Sequence, residues 1–193
     1  SDIFTPFKVE PLFNFHKQIK PMVTMALYSS PSPWRYGVVS TDPTGRVVRF
    51  LYKPRPDLVF SNKVAAGIFV FEPEIFDKIP HKMRMDELIT YLIHRESPVY
   101  GYEFKAFWYR ISSVQEYVEA NQDFLKRRME LTQEDVSGAN VYPPVSLIDV
   151  HAELAFIGPY VSARSVSVGK GTKIRNSILL PGAEIGDNVT ISD

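Results

Sequence analysis

Between Ile157 and Ile191 an aliphatic residue returns every five or six positions: Ile157, Ala163, Val168, Ile174, Leu179, Ile185 and Ile191, with steps of 6, 5, 6, 5, 6 and 6. Small or β-branched residues follow four positions after each of the first six, at Val161, Ser167, Thr172, Ile178, Ala183 and Val189. An α-helix repeats at 3.6 residues and a half-buried strand at 2, so neither explains a beat near six. A parallel β-helix does. Each hexapeptide is a short strand plus a turn, about three make one triangular coil, and stacked coils bury the aliphatics in one internal column. Gly158, Gly169 and Gly186 each follow an aliphatic of the beat. The stretch has room for roughly two coils and stops just after a rung has begun, so the module is expected to be incomplete.

Upstream the pattern is that of an α/β domain. Val9 to Lys20 carries a helical period that Pro21 stops, and Met22 to Ser29 is an apolar run suited to a strand buried on both faces of a largely parallel sheet. Tyr36–Ser40 and Arg46–Leu51 flank Asp42-Pro43-Thr44-Gly45, a tight-turn sequence, so this segment is predicted to be a β-hairpin. Lys53 to Lys63 reads as a loop, Val64–Phe71 as a strand, Asp86–Arg95 as a helix, and Val99–Glu103 and Phe107–Ile111 as strands. Ser113–Arg128 is an amphipathic helix. The expected organisation is an α/β domain over 1–128, a polar linker over 129–143 and the β-helix over 144–193.

Several function classes are disfavoured. The 193 residues carry zero formal net charge with both signs mixed along the chain, so no nucleic-acid footprint or basic membrane surface is present. No apolar run approaches the ~18 residues of a membrane span. With no cysteine there is no disulfide framework or thiolate metal site, which is compatible with cytoplasm. His16, His81, His94 and His151 are scattered without metal-ligand spacing and read as structural or surface residues. Lys126-Arg127-Arg128 is read as the solvated last turn of a helix. The pair Asp86-Glu87 reads as a dipole-complementing helix start.

An ordered set of motifs carries a family resemblance. It comprises Ser1-Asp2, Phe15-His16-Lys17, Tyr36-Gly37-Val38-Val39, Asp42 to Gly45 with Arg46-Val47-Val48-Arg49-Phe50, Lys53-Pro54, Ala66 to Pro73, Trp108 to Tyr117 and Ala120-Asn121. In this order the set resembles the sugar-phosphate nucleotidyltransferases (nucleotide-sugar pyrophosphorylases), above all the mannose-1-phosphate guanylyltransferase-like members with a C-terminal left-handed β-helix. The resemblance implies the C-terminal, sugar-binding half of a Rossmann-like nucleotidyltransferase domain followed by a truncated left-handed parallel β-helix. The Gly-rich loop that cradles the triphosphate in the family has no counterpart here, and Gly169-Lys170-Gly171 is a turn of the repeat.

The resemblance also implies chemistry. The family passes a nucleotidyl group from a nucleoside triphosphate to a sugar-1-phosphate, releasing pyrophosphate, with Mg²⁺ neutralising developing charge. Asp2 stands where one metal carboxylate is expected, and Arg110 stands where the second is expected. The family's Glu-Lys-Pro reads Tyr52-Lys53-Pro54, keeping the phosphate-binding Lys53 and replacing the sugar-binding Glu by Tyr52. The Asn-Ala-Gly turn that lines the sugar pocket reads Ala65-Ala66-Gly67. The implied ligand is a sugar-1-phosphate or nucleotide-sugar. The implied partners are a missing N-terminal half or partner subunit and a second copy of the chain, and the implied compartment is the cytoplasm. Alone, the chain is expected to be catalytically silent. The alternative is a regulatory or scaffolding subunit of the same fold.

Overall fold

The computed structural model describes residues 2–79, 82–127, 136 and 138–192. Ser1, His81, Arg128, positions 129–135 and 137 of the expected linker, and Asp193 lie outside the described residues. The chain divides into two compact units, Ser1–Tyr109 and Arg110–Asp193.

The first unit runs β1 (Ile3–Phe4), α1 (Val9–Ile19), β2 (Val23–Ser29), β3 (Gly37–Thr41), β4 (Val47–Tyr52), β5 (Lys63–Phe71), α2 (Ile75–Lys78), α3 (Met85–His94) and β6 (Val99–Glu103), and β7 (Tyr109–Arg110) begins at its end. Five strands form one sheet in the order β4-β3-β5-β2-β6. Only β2 and β6 pair in parallel, whereas β2–β5, β5–β3 and β3–β4 are antiparallel. The largely parallel sheet expected from the apolar run of β2 is therefore corrected to a mixed sheet. Such a run reports burial on both faces and is silent about the direction of the neighbours.

Burial of β2 follows the period of two. Val23, Met25 and Leu27 point into a cluster with Leu88, Ile89 and Leu92 of α3. Ala26 points the other way, into a cluster with Leu12 of α1, Val64, Ala66 and Trp108. Two helices thus sandwich the sheet, and each fully buried Leu or Met contributes about 1.5–3 kcal/mol. Helix α1 ends in a left-handed Lys20 (φ 51°) whose N–H donates to the His16 carbonyl at 2.7 Å, and Pro21 prevents continuation. At the start of α3 the Glu87 carboxylate accepts the Arg84 backbone N–H at 2.9 Å and Asp86 pairs with the Arg84 guanidinium at 2.9 Å. Both carboxylates are occupied in starting the helix.

The hairpin β3–β4 forms as the sequence predicts, with Val39 opposite Phe50 and Val38 opposite Leu51. Its turn is organised by Asp42, whose Oδ1 accepts from the Thr44 hydroxyl at 2.6 Å, the Thr44 N–H at 2.9 Å and the Arg46 N–H at 3.0 Å. The Thr44 hydroxyl foremost, with the two backbone donors, holds the Asp42 carboxyl below the usual aspartate range.

The second unit contains α4 (Val114–Arg127) and a parallel β-solenoid: β8 (Asn140–Val141), β9 (Val145–Ala152), β10 (Phe156–Ile157), β11 (Val161–Val168), β12 (Lys173–Arg175), β13 (Ser177–Leu179), β14 (Glu184–Ile185) and β15 (Thr190–Ser192). Val141, Ile157, Ile174 and Ile191 stack in register, as do Leu147, Ala163 and Leu179, and Ala152, Val168 and Ile185. Leu147, Ile157, Ala163, Val168 and Ile174 form one buried cluster, and the others, partly buried, pack against it. The seven residues of the sequence beat are therefore internal, but they fill three columns, one per side, and not a single column. Successive residues of the beat lie on successive sides, so stacking partners stand a whole coil apart. The register Asn140, Phe156, Lys173, Thr190 sets that coil at 16, 17 and 17 residues. The first rung already forms at Asn140–Val141, inside the stretch expected to be linker.

Corners recur with the same spacing. Gly138, Leu154, Gly171 and Asn188 all have positive φ, as do Asp149, Ser165 and Gly182, and Tyr160 and Asn176. Helix α4 lies in the second unit. Ser162 of β11 donates its hydroxyl to Asn121 at 3.0 Å, and the Lys126 ammonium lies 5.3 Å over the Tyr160 ring.

Candidate functional site

Strand β5 is irregular where the sequence placed the sugar pocket. Met25 pairs with Phe69 and Leu27 with Ala65, so Ala66, Gly67 and Ile68 stand opposite Ala26 alone. This bulge needs a residue at positive φ, and Gly67 supplies it at 79°. The backbone also runs close to β1: a Cβ at Gly67 would meet Ile3 Cδ1 at 2.8 Å. Asp2, exposed, directly precedes that isoleucine. Ala66 is fully buried, and its carbonyl accepts the Trp108 indole N–H at 3.0 Å.

Trp108 is 5% exposed and lies edge-on to Tyr36, with ring centroids 5.0 Å apart at 69°. The Tyr36 carbonyl accepts the Lys53 N–H at 2.8 Å. Lys53 is a non-glycine residue at φ 45°, which turns the chain sharply out of β4. Its ammonium lies 5.6 Å over the Tyr52 ring and pairs with no carboxylate among the described residues. Lys53 and the adjacent Ala66 and Gly67 are thus joined through Tyr36 and Trp108.

Tyr52 does not join this group through the sheet. It pairs with Gly37, two positions on from the Phe50–Val39 pair, and so shares the α3 side. Ala66 and Val64 belong to the α1 side. Tyr52 is 40% exposed. Arg110, half-buried in β7, is the first residue of the second unit.

The residues present do not fit a Mg²⁺ site. Mg²⁺ calls for one or two carboxylates beside phosphate oxygens. Of the two positions the resemblance assigns, Asp2 alone is a carboxylate, and the guanidinium of Arg110 cannot ligate a cation. Among the described residues no group of three or more His, Cys, Asp or Glu side chains could hold a metal. Of the histidines, His16 is buried between Thr24 and Glu72, His94 Nδ1 lies 2.7 Å from the Thr90 carbonyl, and His151 is exposed beside Asp149 at 3.6 Å.

Sequence reasoning placed Tyr36 and Trp108 in the ordered set of motifs and gave neither a role in the site. The legible signal was Gly67 within an apolar strand, since a glycine there marks a bulge whose backbone groups need partners outside the ladder.

Residues 1–127 match the family model described as nucleotidyl transferase, and the chain belongs to that family. Curated relatives include a glucose-1-phosphate adenylyltransferase of Desulfitobacterium hafniense, 28% identical over 210 residues, covering 93% of this chain and 52% of that protein. A probable mannose-1-phosphate guanyltransferase of Schizosaccharomyces pombe is 26% identical over 226 residues, covering 99% and 53%. A mannose-1-phosphate guanylyltransferase of Mycobacterium tuberculosis is 25% identical over 198 residues, covering 95% and 52%. The chain therefore spans about half the length of the curated relatives it matches. In fold it is similar to a putative glucose-1-phosphate thymidylyltransferase from Bacillus anthracis, with a TM-score of 0.56 at 16% identity over 68% of this chain and 54% of that one.

Proposed function

We propose that the chain carries the sugar-1-phosphate site of a nucleotidyltransferase. In that reaction a sugar-1-phosphate oxygen attacks the α-phosphorus of a nucleoside triphosphate, a P–O bond forms, and pyrophosphate leaves. The observation that carries the reading is Lys53: an ammonium free of any carboxylate partner among the described residues, on a backbone clipped to Tyr36. Its part is to neutralise the sugar phosphate, while Gly67, exposed in the bulge, presents bare backbone to the sugar. Where the family has Glu, Tyr52 lies on the α3 side of the sheet and offers the sugar hydroxyls no carboxylate.

Arg110 favours a second reading, a regulatory or scaffolding subunit that keeps the fold and the sugar-phosphate site without turnover. In both readings the activity belongs to an assembly with the remaining half of the domain or a partner subunit, in a homo-oligomer, in the cytoplasm. No described helix is long and apolar enough to cross a membrane.

The test is titration calorimetry with α-D-glucose 1-phosphate and α-D-mannose 1-phosphate against the parent chain and Lys53→Ala. A charge-assisted phosphate contact is worth about 1.5–3 kcal/mol, so the variant should lose about tenfold to a hundredfold in affinity. Equal affinity for parent and variant removes Lys53 from the site.

A further inference from the structure

We propose that Trp108 is a positioning residue that sets the two halves of the sugar-phosphate site, the Lys53 turn and the Ala66–Gly67 bulge, at a fixed separation. The proposal rests on the site assignment above and adds a residue to it. Three observations converge. First, the bulge sets Ala66 to Ile68 against Ala26 alone, so regular pairing with β2 does not fix its geometry. Second, the Ala66 carbonyl is buried and is held by the indole N–H at 3.0 Å. Third, the same indole packs against Tyr36, whose carbonyl holds the Lys53 N–H. One rigid side chain therefore references both Gly67 and Lys53.

Packing alone does not account for tryptophan here. The indole contacts Tyr28 at 5.3 Å and Tyr36 at 5.0 Å, and a phenylalanine could meet both rings. Only the N–H to Ala66 requires an indole. Beyond Trp108 the aromatic contacts continue through Tyr28, Phe104, Phe7 and Tyr102 to Phe15 of α1, which anchors the indole in the α1 side of the core.

Trp108→Phe separates the hydrogen bond from the packing. Residue-resolved amide exchange should show faster exchange at both Lys53 and Gly67 by about tenfold, with Met25 and Val39 in the opposite cluster unchanged. Affinity for α-D-glucose 1-phosphate should fall by about fivefold or more. A purely structural role predicts acceleration spread evenly over both clusters. If Trp108→Phe does not fold, benzothienylalanine at position 108 in a Trp34→Phe background keeps the ring volume and removes only the N–H. Unchanged exchange at Lys53 with unchanged affinity overturns the role of Trp108 and leaves the site standing. A parent chain that binds neither sugar phosphate overturns the site itself, and this proposal with it.

Discussion

The imidazole of His16 joins Thr24 to Glu72 across the first unit, with Nδ1 2.8 Å from the Thr24 hydroxyl and Nε2 3.1 Å from the Glu72 carboxylate. An ionised carboxylate only accepts, so Nε2 carries a proton, and in the neutral ring Nδ1 then accepts from the threonine hydroxyl. A helix, a central strand and the residue after β5 are thereby tied through one ring that is 3% exposed. His16→Ala leaves the Thr24 hydroxyl buried without its partner. The variant should lose about 2 kcal/mol in urea denaturation with an unchanged m-value. A loss within experimental error would show that the ring only fills space.

Two glycines of the solenoid should respond in opposite ways. A Cβ at Gly158, where φ is 109°, would stand 1.9 Å from the Tyr142 carbonyl oxygen, a backbone atom that cannot swing aside. Gly158→Ala should cost about 2–3 kcal/mol. At Gly186 the nearest atom to a new Cβ is Val189 Cγ2 at 4.0 Å, so Gly186→Ala should stay within about 1 kcal/mol of the parent. Thermal unfolding of the two variants side by side checks the contrast, and equal midpoints would contradict it.

Arg110 bears on turnover. The purified chain should release no pyrophosphate from any nucleoside triphosphate offered with a sugar-1-phosphate and Mg²⁺, because a guanidinium stands where a metal carboxylate is expected. A coupled pyrophosphate assay reads this directly. Turnover above a protein-free blank that disappears in Asp2→Ala would sink the expectation and assign Asp2 a catalytic part.

Local periodicity made the solenoid legible, since each of the seven beat residues carries its own signal. What it hid was stacking distance: Ile157 and Ile174 are neighbours across a coil boundary, and no spacing of five or six reveals that. The rung at Asn140–Val141 was missed because two residues, one of them polar, leave no periodic trace. In the first unit the hairpin was written in its turn residues. The antiparallel pairing of β2 with β5 was not, because an apolar run is compatible with either direction. The candidate site followed the same rule. Lys53 and Gly67 were visible as residue types in an ordered set of motifs, whereas the bond from Trp108 to Ala66 spans 42 positions and has no local correlate.

The left-handed corners carry a consequence for heredity. Leu154, Tyr160, Ser165 and Asp149 accept a conformation that side chains normally avoid because the coils above and below require a corner there. Stacked sides already differ by one residue, since Tyr160 follows Leu154 by six positions and Asn176 follows Gly171 by five, so a side absorbs a single residue, whereas removing a full coil of 16 or 17 residues leaves the remaining corners aligned. Length variation in this part of the molecule therefore has two scales: a lineage can add or discard whole storeys, and within a storey a side can gain or lose a single residue.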